Sequence, residues 1–231
     1  LIGNAGNDTI SGGGTSSSAA DEYDYIDGGV GIDTVSYKDI KDETQSVSIN
    51  LGLDYTGDGH SFNDSDSDVD KYQNSGAAGK LYIQNVENLE GGAGNDTLIG
   101  NDQSNILTGG VGSDTLIGGS NSNTLIGGEA KDSDSLSIDE SNSDALAGLG
   151  IDTADYSGIS NNIGLNADMN AGIEADTSTK QVGQVSYNAS SIDNLYGIEN
   201  IRATKNDDAI TGDTDDNVVN VFEGMGGSDI I

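Results

Sequence analysis

Cysteine is absent from this chain, so neither a disulfide nor a thiolate metal site can staple it. Proline is absent too, so no residue inside a strand lacks its backbone N–H. A single histidine, His60, excludes a zinc or copper centre built on several imidazoles. There is no tryptophan, only 33% of residues are hydrophobic, and no apolar run is long enough to span a bilayer. Basic residues number 8 against 40 acidic ones, for a formal net charge of -32. Such a charge repels nucleic acid and anionic membranes, and self-repulsion opposes compaction. By charge and hydropathy alone the chain falls near the disordered class. Cations are its natural partners. The donors left to hold one are Asp, Asn and main-chain carbonyl oxygens, the ligand set of a hard ion such as Ca²⁺.

Glycine is what the chain has instead, 35 of its 231 residues. Between 91 and 135 it returns every nine residues: Gly91–Ile99, Gly100–Thr108, Gly109–Ile117, Gly118–Ile126, Gly127–Ser135. The eighth place holds Leu98, Leu107, Leu116 and Leu125, and the seventh holds Thr97, Ile106, Thr115 and Thr124. Glycine at this density costs a helix about 1 kcal/mol per residue but opens the positive-φ backbone of tight turns. Each unit reads as a turn followed by a β-triplet that alternates sides, so the place-eight leucine points inward. One unit has no core of its own; stacked units share one. The zero proline count suits such uninterrupted ladders.

Gly91-Gly92-Ala93-Gly94-Asn95-Asp96-Thr97-Leu98 and Gly109-Gly110-Val111-Gly112-Ser113-Asp114-Thr115-Leu116 fit the nonapeptide G-G-x-G-x-D-x-U-x in full. In these residues the chain resembles the hemolysin-type calcium-binding repeats, called RTX, of secreted bacterial proteins. The resemblance implies an all-β, right-handed parallel β-roll or β-helix solenoid, in which two nonapeptides make one coil and repeats 18 residues apart stack on the same edge. The sixth places read Asp96, Asn105, Asp114, Asn123 and Asp132. Alternating repeats then place Asp on one edge and Asn on the other, giving a calcium-binding edge and one that binds weakly or not at all. Family geometry places one ion between Gly92, Gly94 and Asp96 and the turn of Gly109, Val111 and Asp114. A second would use Gly110, Gly112 and Asp114 with Gly127, Glu129 and Asp132, although Ala130 departs from the glycine pattern. Asp8, Asp24, Asp33, Asp152, Asp208 and Asp229 complete the expected metal ligands.

The chain is also internally duplicated. Gly29–Tyr37, GVGIDTVSY, reappears as GLGIDTADY at Gly148–Tyr156. VENLEGGAGNDTLIGNDQSN at Val86–Asn105 reappears as IENIRATKNDDAITGDTDDN at Ile198–Asn217. The expected organisation is a first RTX-like unit over 1–135 with loop insertions at about 38–85, and a degenerate second over 136–231 with an insertion at about 157–197. The two would form one continuous solenoid, with the strand-like runs Val47–Leu53, Leu81–Val86 and Ile163–Met169 continuing it. In the second copy Ala203, Thr204 and Asn206 replace glycines and Lys205 adds positive charge, so weaker calcium binding is expected there. Leu1 and Ile231 both fall inside repeats, and the chain is expected to be a segment of a longer protein on both sides.

Asp54–Asp66 opens like an EF-hand loop, but Ser65 stands where the twelfth-place glutamate belongs; it reads as a solvated acidic loop, with an ordered calcium site as the alternative. Asp64–Asp70 and His60 read likewise as loop. No G-x-S-x-G or H-E-x-x-H motif is present, and no enzyme is expected. The expected function is a calcium-binding solenoid that folds outside the cell as part of a large type I-secreted adhesin or toxin. Two alternatives stand beside it: a calcium-dependent surface-recognition module for ice or carbohydrate, suggested by Thr97, Thr115 and Thr124, and an accessory module of a secreted enzyme. The expected location is extracellular or on the bacterial surface.

Overall fold

A computed structural model describes residues 1–12, 23–52, 73–74, 80–128, 151–159, 164–169, 183–188, 190–212 and 221–231. Among these the chain is all β, without a helix, in three sheets. The largest sheet has nine strands in the spatial order β1 (Thr9–Ser11), β3 (Thr34–Ser36), β7 (Asn88–Glu90), β9 (Ile106–Gly110), β11 (Thr124–Gly128), β15 (Ile192–Tyr196), β14 (Gly183–Ser186), β13 (Asn166–Asp168), β17 (Ala209–Thr211). The second has six: β18 (Val221–Glu223), β16 (Asn200–Arg202), β12 (Thr153–Asp155), β10 (Thr115–Ile117), β8 (Thr97–Ile99), β4 (Ser48–Asn50). A third joins β2 (Tyr23–Asp27), β6 (Lys80–Gln84) and β5 (Gln73–Asn74).

The nonapeptide period explains this layout. Each unit supplies one triplet, and successive triplets alternate between the two large sheets: β7, β9 and β11 in one, β8 and β10 in the other. Leu98 therefore pairs in parallel with Leu116, and Leu107 with Leu125. Leu98, Leu107, Leu116, Leu125 and Leu195 are all fully buried between the sheets, flanked by Ile49, Val35, Leu89, Ala154 and Ile201. Each buried leucine contributes about 1.5–3 kcal/mol of apolar transfer, and stacking makes one core from units that have none alone.

The strand-like runs of the insertions join these sheets. β4 pairs with β8, and β6 with β2. The second insertion departs from the all-parallel expectation. There β14 runs antiparallel to both β13 and β15, so the nine-stranded sheet is mixed. Strand β12 pairs with β10 and β15 with β11, joining the sequence copies through both sheets.

The duplicated segments enter the solenoid half a coil out of phase. The triplet after Asp33 is β3, in the nine-stranded sheet, whereas the triplet after its counterpart Asp152 is β12, in the six-stranded sheet. Between β7 and β12 the chain changes sheet an odd number of times, so matching sequences land on opposite edges.

Because Leu116 is fully buried while Ile106, at the seventh place, is 46% exposed, Leu116→Ala should cost about 2–5 kcal/mol and Ile106→Ala less than about 0.5 kcal/mol. Denaturant unfolding in saturating calcium checks this, and equal costs would contradict the inward register.

Candidate metal centres

The turns that carry the chain from the nine-stranded to the six-stranded sheet include Gly91–Asp96 and Gly109–Asp114. Their sixth-place carboxylates form a ladder across the coils. The Val47 N–H donates to Asp96 Oδ1, the Asp96 N–H to Asp114 Oδ1, and the Asp114 N–H to Asp152 Oδ1, each at 2.7 Å. All three aspartates are buried. One oxygen of each thus serves the neighbouring coil, and the second is what remains for chemistry. Asp96 Oδ2 accepts the Gly92 N–H at 2.7 Å. Asp114 Oδ2 is buried with no partner.

Carbonyl oxygens crowd the same turns. A Cβ placed on Gly110 (φ +111°) would lie 2.3 Å from the Gly92 carbonyl oxygen, and one on Gly112 (φ +129°) 2.5 Å from that of Gly94. A Cβ on Gly109 would lie 2.2 Å from Asp114 Oδ2. Glycine is required because oxygens of one turn face the backbone of the next at this range. A buried carboxylate oxygen without a partner costs free energy unless a proton or a cation meets it. The electrostatics agree: burial pushes the Asp114 carboxyl up to about 7, with the Asp96 charge adding to it. Burial likewise pushes Asp152 up to about 9, with Asp114 and Glu199 as charged neighbours, and raises Asp96. Among the described residues no three His, Cys, Asp or Glu side chains form a metal cluster. A cation here would be held by one or two carboxylates and several carbonyls, which suits Ca²⁺ and not a transition metal. The residues present therefore fit a calcium ion.

The opposite edge is wired differently. The Asn105 N–H donates to Asn123 Oδ1 at 3.0 Å, and the Asn123 N–H to Asp193 Oδ1 at 2.8 Å. The Asn105 amide Nδ2 donates to the Glu87 carbonyl at 2.6 Å and to Asn101 Oδ1 at 3.2 Å. The Asn123 amide donates to the Asn121 carbonyl at 2.6 Å and to Asp193 Oδ1 at 3.1 Å. Amide N–H groups thus serve oxygens that nothing serves beside Asp114. Asp193 is fully buried and accepts the Tyr156 and Tyr187 hydroxyls at 3.1 and 3.3 Å. Burial pushes it up to about 6, and it needs no cation. The sequence reading missed Asp193, which follows no glycine turn; only its register opposite Asn123 reveals it.

The same edge regains carboxylates at its beginning. The Asp8 N–H donates to Asp33 Oδ1 at 2.8 Å, and Oδ2 of both residues is buried without a partner. A Cβ on Gly29 (φ +103°) would lie 2.2 Å from the Asn4 carbonyl oxygen, and one on Gly31 2.0 Å from that of Gly6. This is the oxygen cradle of Gly92 and Gly94 again. Separation of Asp and Asn by edge therefore holds for Asp96, Asn105, Asp114 and Asn123 but not for the whole chain, since Asp8 and Asp33 stand on the asparagine edge.

The remaining expected ligands divide. Glu129 and Asp132 lie outside the described residues, as do His60 and Asp54–Asp66. Asp152 stacks on Asp114 and faces the Gly127 turn: a Cβ on Gly127 would lie 2.3 Å from Asp152 Oδ2. Asp24 stands within β2, opposite Leu81, and not in a glycine turn; its charge helps burial to raise the Tyr37 hydroxyl. Asp208 is buried and accepts the Leu165 N–H at 2.7 Å, the Thr204 N–H at 3.0 Å and the Thr204 hydroxyl at 2.9 Å. Thr204, in a glycine place, thus supplies Asp208 with a second donor. Asp229 accepts the Asp208 N–H at 3.0 Å.

Residues 1–15, 85–116 and 108–133 match the family model of the RTX calcium-binding nonapeptide repeat, in four copies. No curated protein matches the chain. The chain carries an RTX-repeat region, and RTX nonapeptide repeats bind calcium ions.

Two measurements follow from this wiring. Asp114→Ala should lower calcium affinity or stoichiometry in a titration, because it removes the unpartnered oxygen. Asn105→Ala should instead lower stability in saturating calcium by about 1–3 kcal/mol and leave the number of ions bound unchanged. Loss of calcium binding by both variants alike would contradict the division of labour.

The pH dependence has a definite sign. Without calcium, the folded carboxyls of Asp114 and Asp152 titrate near 7 and 9 against an ordinary value of 3.8. The fold then holds more protons than the unfolded chain, so its stability is full below about pH 4 and falls as pH rises through 7 toward 9. In calcium-free buffer the folded fraction read by circular dichroism should be highest near pH 4 and fall toward pH 8, and calcium binding at pH 6 should release protons, read by calorimetry in two buffers. A calcium-free chain that gains structure as pH rises from 4 to 8 would contradict the burial of these carboxyls.

Proposed function

We propose that this chain is a calcium-dependent structural solenoid of a large secreted bacterial protein, an adhesin or a toxin, exported by a type I system and folded outside the cell. The single observation that carries the reading is the set of buried, unpartnered carboxylate oxygens on Asp8, Asp33 and Asp114, each facing a turn with the glycines that bring carbonyls close. Bound Ca²⁺ would supply the positive charge that these carboxylate and carbonyl oxygens leave unmet. The chain's own residues do the rest. Gly92, Gly94, Asp96, Gly109, Val111 and Asp114 would hold one ion between stacked turns. Gly110, Gly112 and Asp114, with Gly127 and Asp152, would line the next. Asp8 and Asp33, with the carbonyls of Asn4 and Gly6, would hold a third on the other edge.

Coupled binding and folding is the proposed mechanism. Forty acidic side chains against eight basic ones keep the chain expanded where calcium is scarce. Stacking brings the carboxylates together, and binding energy becomes folding energy, about 2.7 kcal/mol for one site at a hundredfold excess over its dissociation constant. Extracellular calcium modules have constants of about 10⁻⁴–10⁻³ M, which separates a low-calcium cytosol from the outside.

RTX repeats are structural calcium-binding repeats. No helix among the described residues is long and apolar enough to cross a membrane. The threonine rank that favoured a surface-recognition module is divided. Thr97, Thr115 and Thr153 share the six-stranded sheet, whereas Thr124 lies in the nine-stranded sheet opposite Ile106. Calcium titration under circular dichroism tests the proposal: the chain should pass from disordered to β-rich as calcium rises and return on EGTA. A spectrum unchanged by either would overturn it.

A further inference from the structure

Among the described residues, two turns between strands are only three residues long. Between β6 and β7 the turn is Asn85–Glu87, and between β15 and β16 it is Gly197–Glu199, each half the length of Gly91–Asp96. Both begin with a left-handed residue, Asn85 at φ +51° and Gly197 at φ +56°. Both place a glutamate where the longer turns place a sixth-place aspartate, and each glutamate makes the same set of bonds. The Asp33 N–H donates to Glu87 Oε2 at 2.8 Å, and the Asp152 N–H to Glu199 Oε2 at 2.8 Å. The return bonds match as well. The Glu87 and Asn88 N–H groups donate to the Asp33 carbonyl at 3.1 and 2.9 Å, and those of Glu199 and Asn200 to the Asp152 carbonyl at 3.2 and 2.9 Å. Asn88 Nδ2 meets Thr34 Oγ1 and Asn200 Nδ2 meets Thr153 Oγ1, both at 3.5 Å.

These bonds close long gaps in the two coil stacks. Glu87 lies 54 residues beyond Asp33, and Glu199 47 beyond Asp152, against 18 for an ordinary coil such as Asp96 to Asp114. In each case an insertion separates the two partners, and the strand after the glutamate must start in register one coil further on. A nonapeptide spacing cannot set that register. A one-residue slip would turn every inward leucine outward.

We propose that Glu87 and Glu199 are calcium-independent latches that hold the coils in register across these two gaps of 54 and 47 residues. The sequence Val86-Glu87-Asn88 and its counterpart Ile198-Glu199-Asn200 form the motif. The apolar residue anchors in the core, with Val86 and Ile198 3% and 1% exposed. The glutamate caps the N–H of the preceding coil's aspartate, and the asparagine begins the next strand. Glutamate is required and not aspartate, because a three-residue turn leaves the carboxylate one methylene short. The latch is a positioning device: it holds Asp33 and Asp152 in place without itself serving as a calcium ligand. It does not depend on the calcium reading, since its bonds need only an acceptor oxygen of the right reach.

The test compares Glu199→Gln, Glu199→Asp and Glu199→Ala in the full chain at saturating calcium, by hydrogen exchange and by calcium stoichiometry. Glutamine keeps the acceptor and the reach but loses the charge. It should leave both the protection of the Asp152 amide and the calcium count unchanged. Aspartate keeps the charge and loses the reach, so with alanine it should speed exchange of the Asp152 amide at least tenfold. The reverse pattern, with aspartate tolerated and glutamine losing one ion, would show a calcium ligand and overturn the proposal. So would unchanged protection in the alanine variant. If alanine prevents folding, the contrast of glutamine with aspartate decides alone, and the same series at Glu87 repeats it on the other edge.

Discussion

The solenoid depends on what meets the second oxygen of each buried carboxylate at its edges. The first oxygen has the same task almost everywhere: it accepts the main-chain N–H that opens a triplet in the neighbouring coil, as in Asp96 to Asp114 and Asn105 to Asn123. That bond sets the coil spacing and register, and it is the same whether the side chain is an acid or an amide. The second oxygen is free to vary. In Asp96 it takes the Gly92 N–H, in Asp208 the Thr204 N–H, and in Asp193 a tyrosine hydroxyl. In Asp8, Asp33 and Asp114 no protein group meets it. Burying an unmet carboxylate is far more costly than burying a hydrogen-bonded one. Those three residues therefore mark where the fold needs help from outside the chain.

Much of this was legible in the sequence, for a definite reason. Where coils are strictly nonapeptide, as from Gly91 to Ile126, sequence distance and spatial stacking are the same information. The inward leucines and the opposition of Asp96 and Asp114 to Asn105 and Asn123 could then be read from spacing alone. Legibility ended wherever stacking jumped the period. Asp193 reaches Asn123 across 70 residues and Asp152 reaches Asp114 across 38, separations that the period does not give. Glu87 and Glu199 sit in no glycine turn, so the nonapeptide spacing does not single them out. Asp24 has an aspartate's place in a loose nonapeptide but lies in a strand, because the following Tyr25 and Ile26 pair with Tyr82 and Ile83 of β6.

The duplication shows which feature of the unit has been kept. The two copies lie on opposite edges, so they do not share a position on the rod. They do share a stack: Asp33 and Glu87 in the first and Asp152 and Glu199 in the second, each preceded by one further aspartate, Asp8 or the first unit's Asp114, and linked by the same N–H to carboxylate bonds at 2.7–2.8 Å. A half-coil shift is tolerated because both edges offer the same geometry, a parallel triplet entered from a turn. The tyrosine after each triplet behaves alike as well, with Tyr37 and Tyr156 both buried. They differ in their ends: Tyr156 donates to Asp193, while the Tyr37 hydroxyl has no partner.

That difference recurs from turn to turn. In the first turns and the central array oxygens crowd glycine turns, and among the described residues three carboxylates are left open. Between β16 and β17 the glycines give way to Ala203, Thr204 and Lys205 and the carboxylates find partners in the protein, while the last turn, Gly224–Asp229, has glycines again. Asp193 has two tyrosines, Asp208 has Thr204, and on the outer face Arg202 bridges Asp155 and Glu223 at 3.0 and 2.6 Å. The arginine pairs are partly exposed and contribute little singly, about 0–1 kcal/mol each. Their meaning lies in the direction of the exchange. Threonine in a glycine place lacks the close carbonyl approach a cation needs but brings a hydroxyl that makes the cation unnecessary. The second copy has therefore not simply decayed: as the means of coordination fade, so does the demand for it, and the ladder of first oxygens runs on unchanged through Asp208 to Asp229.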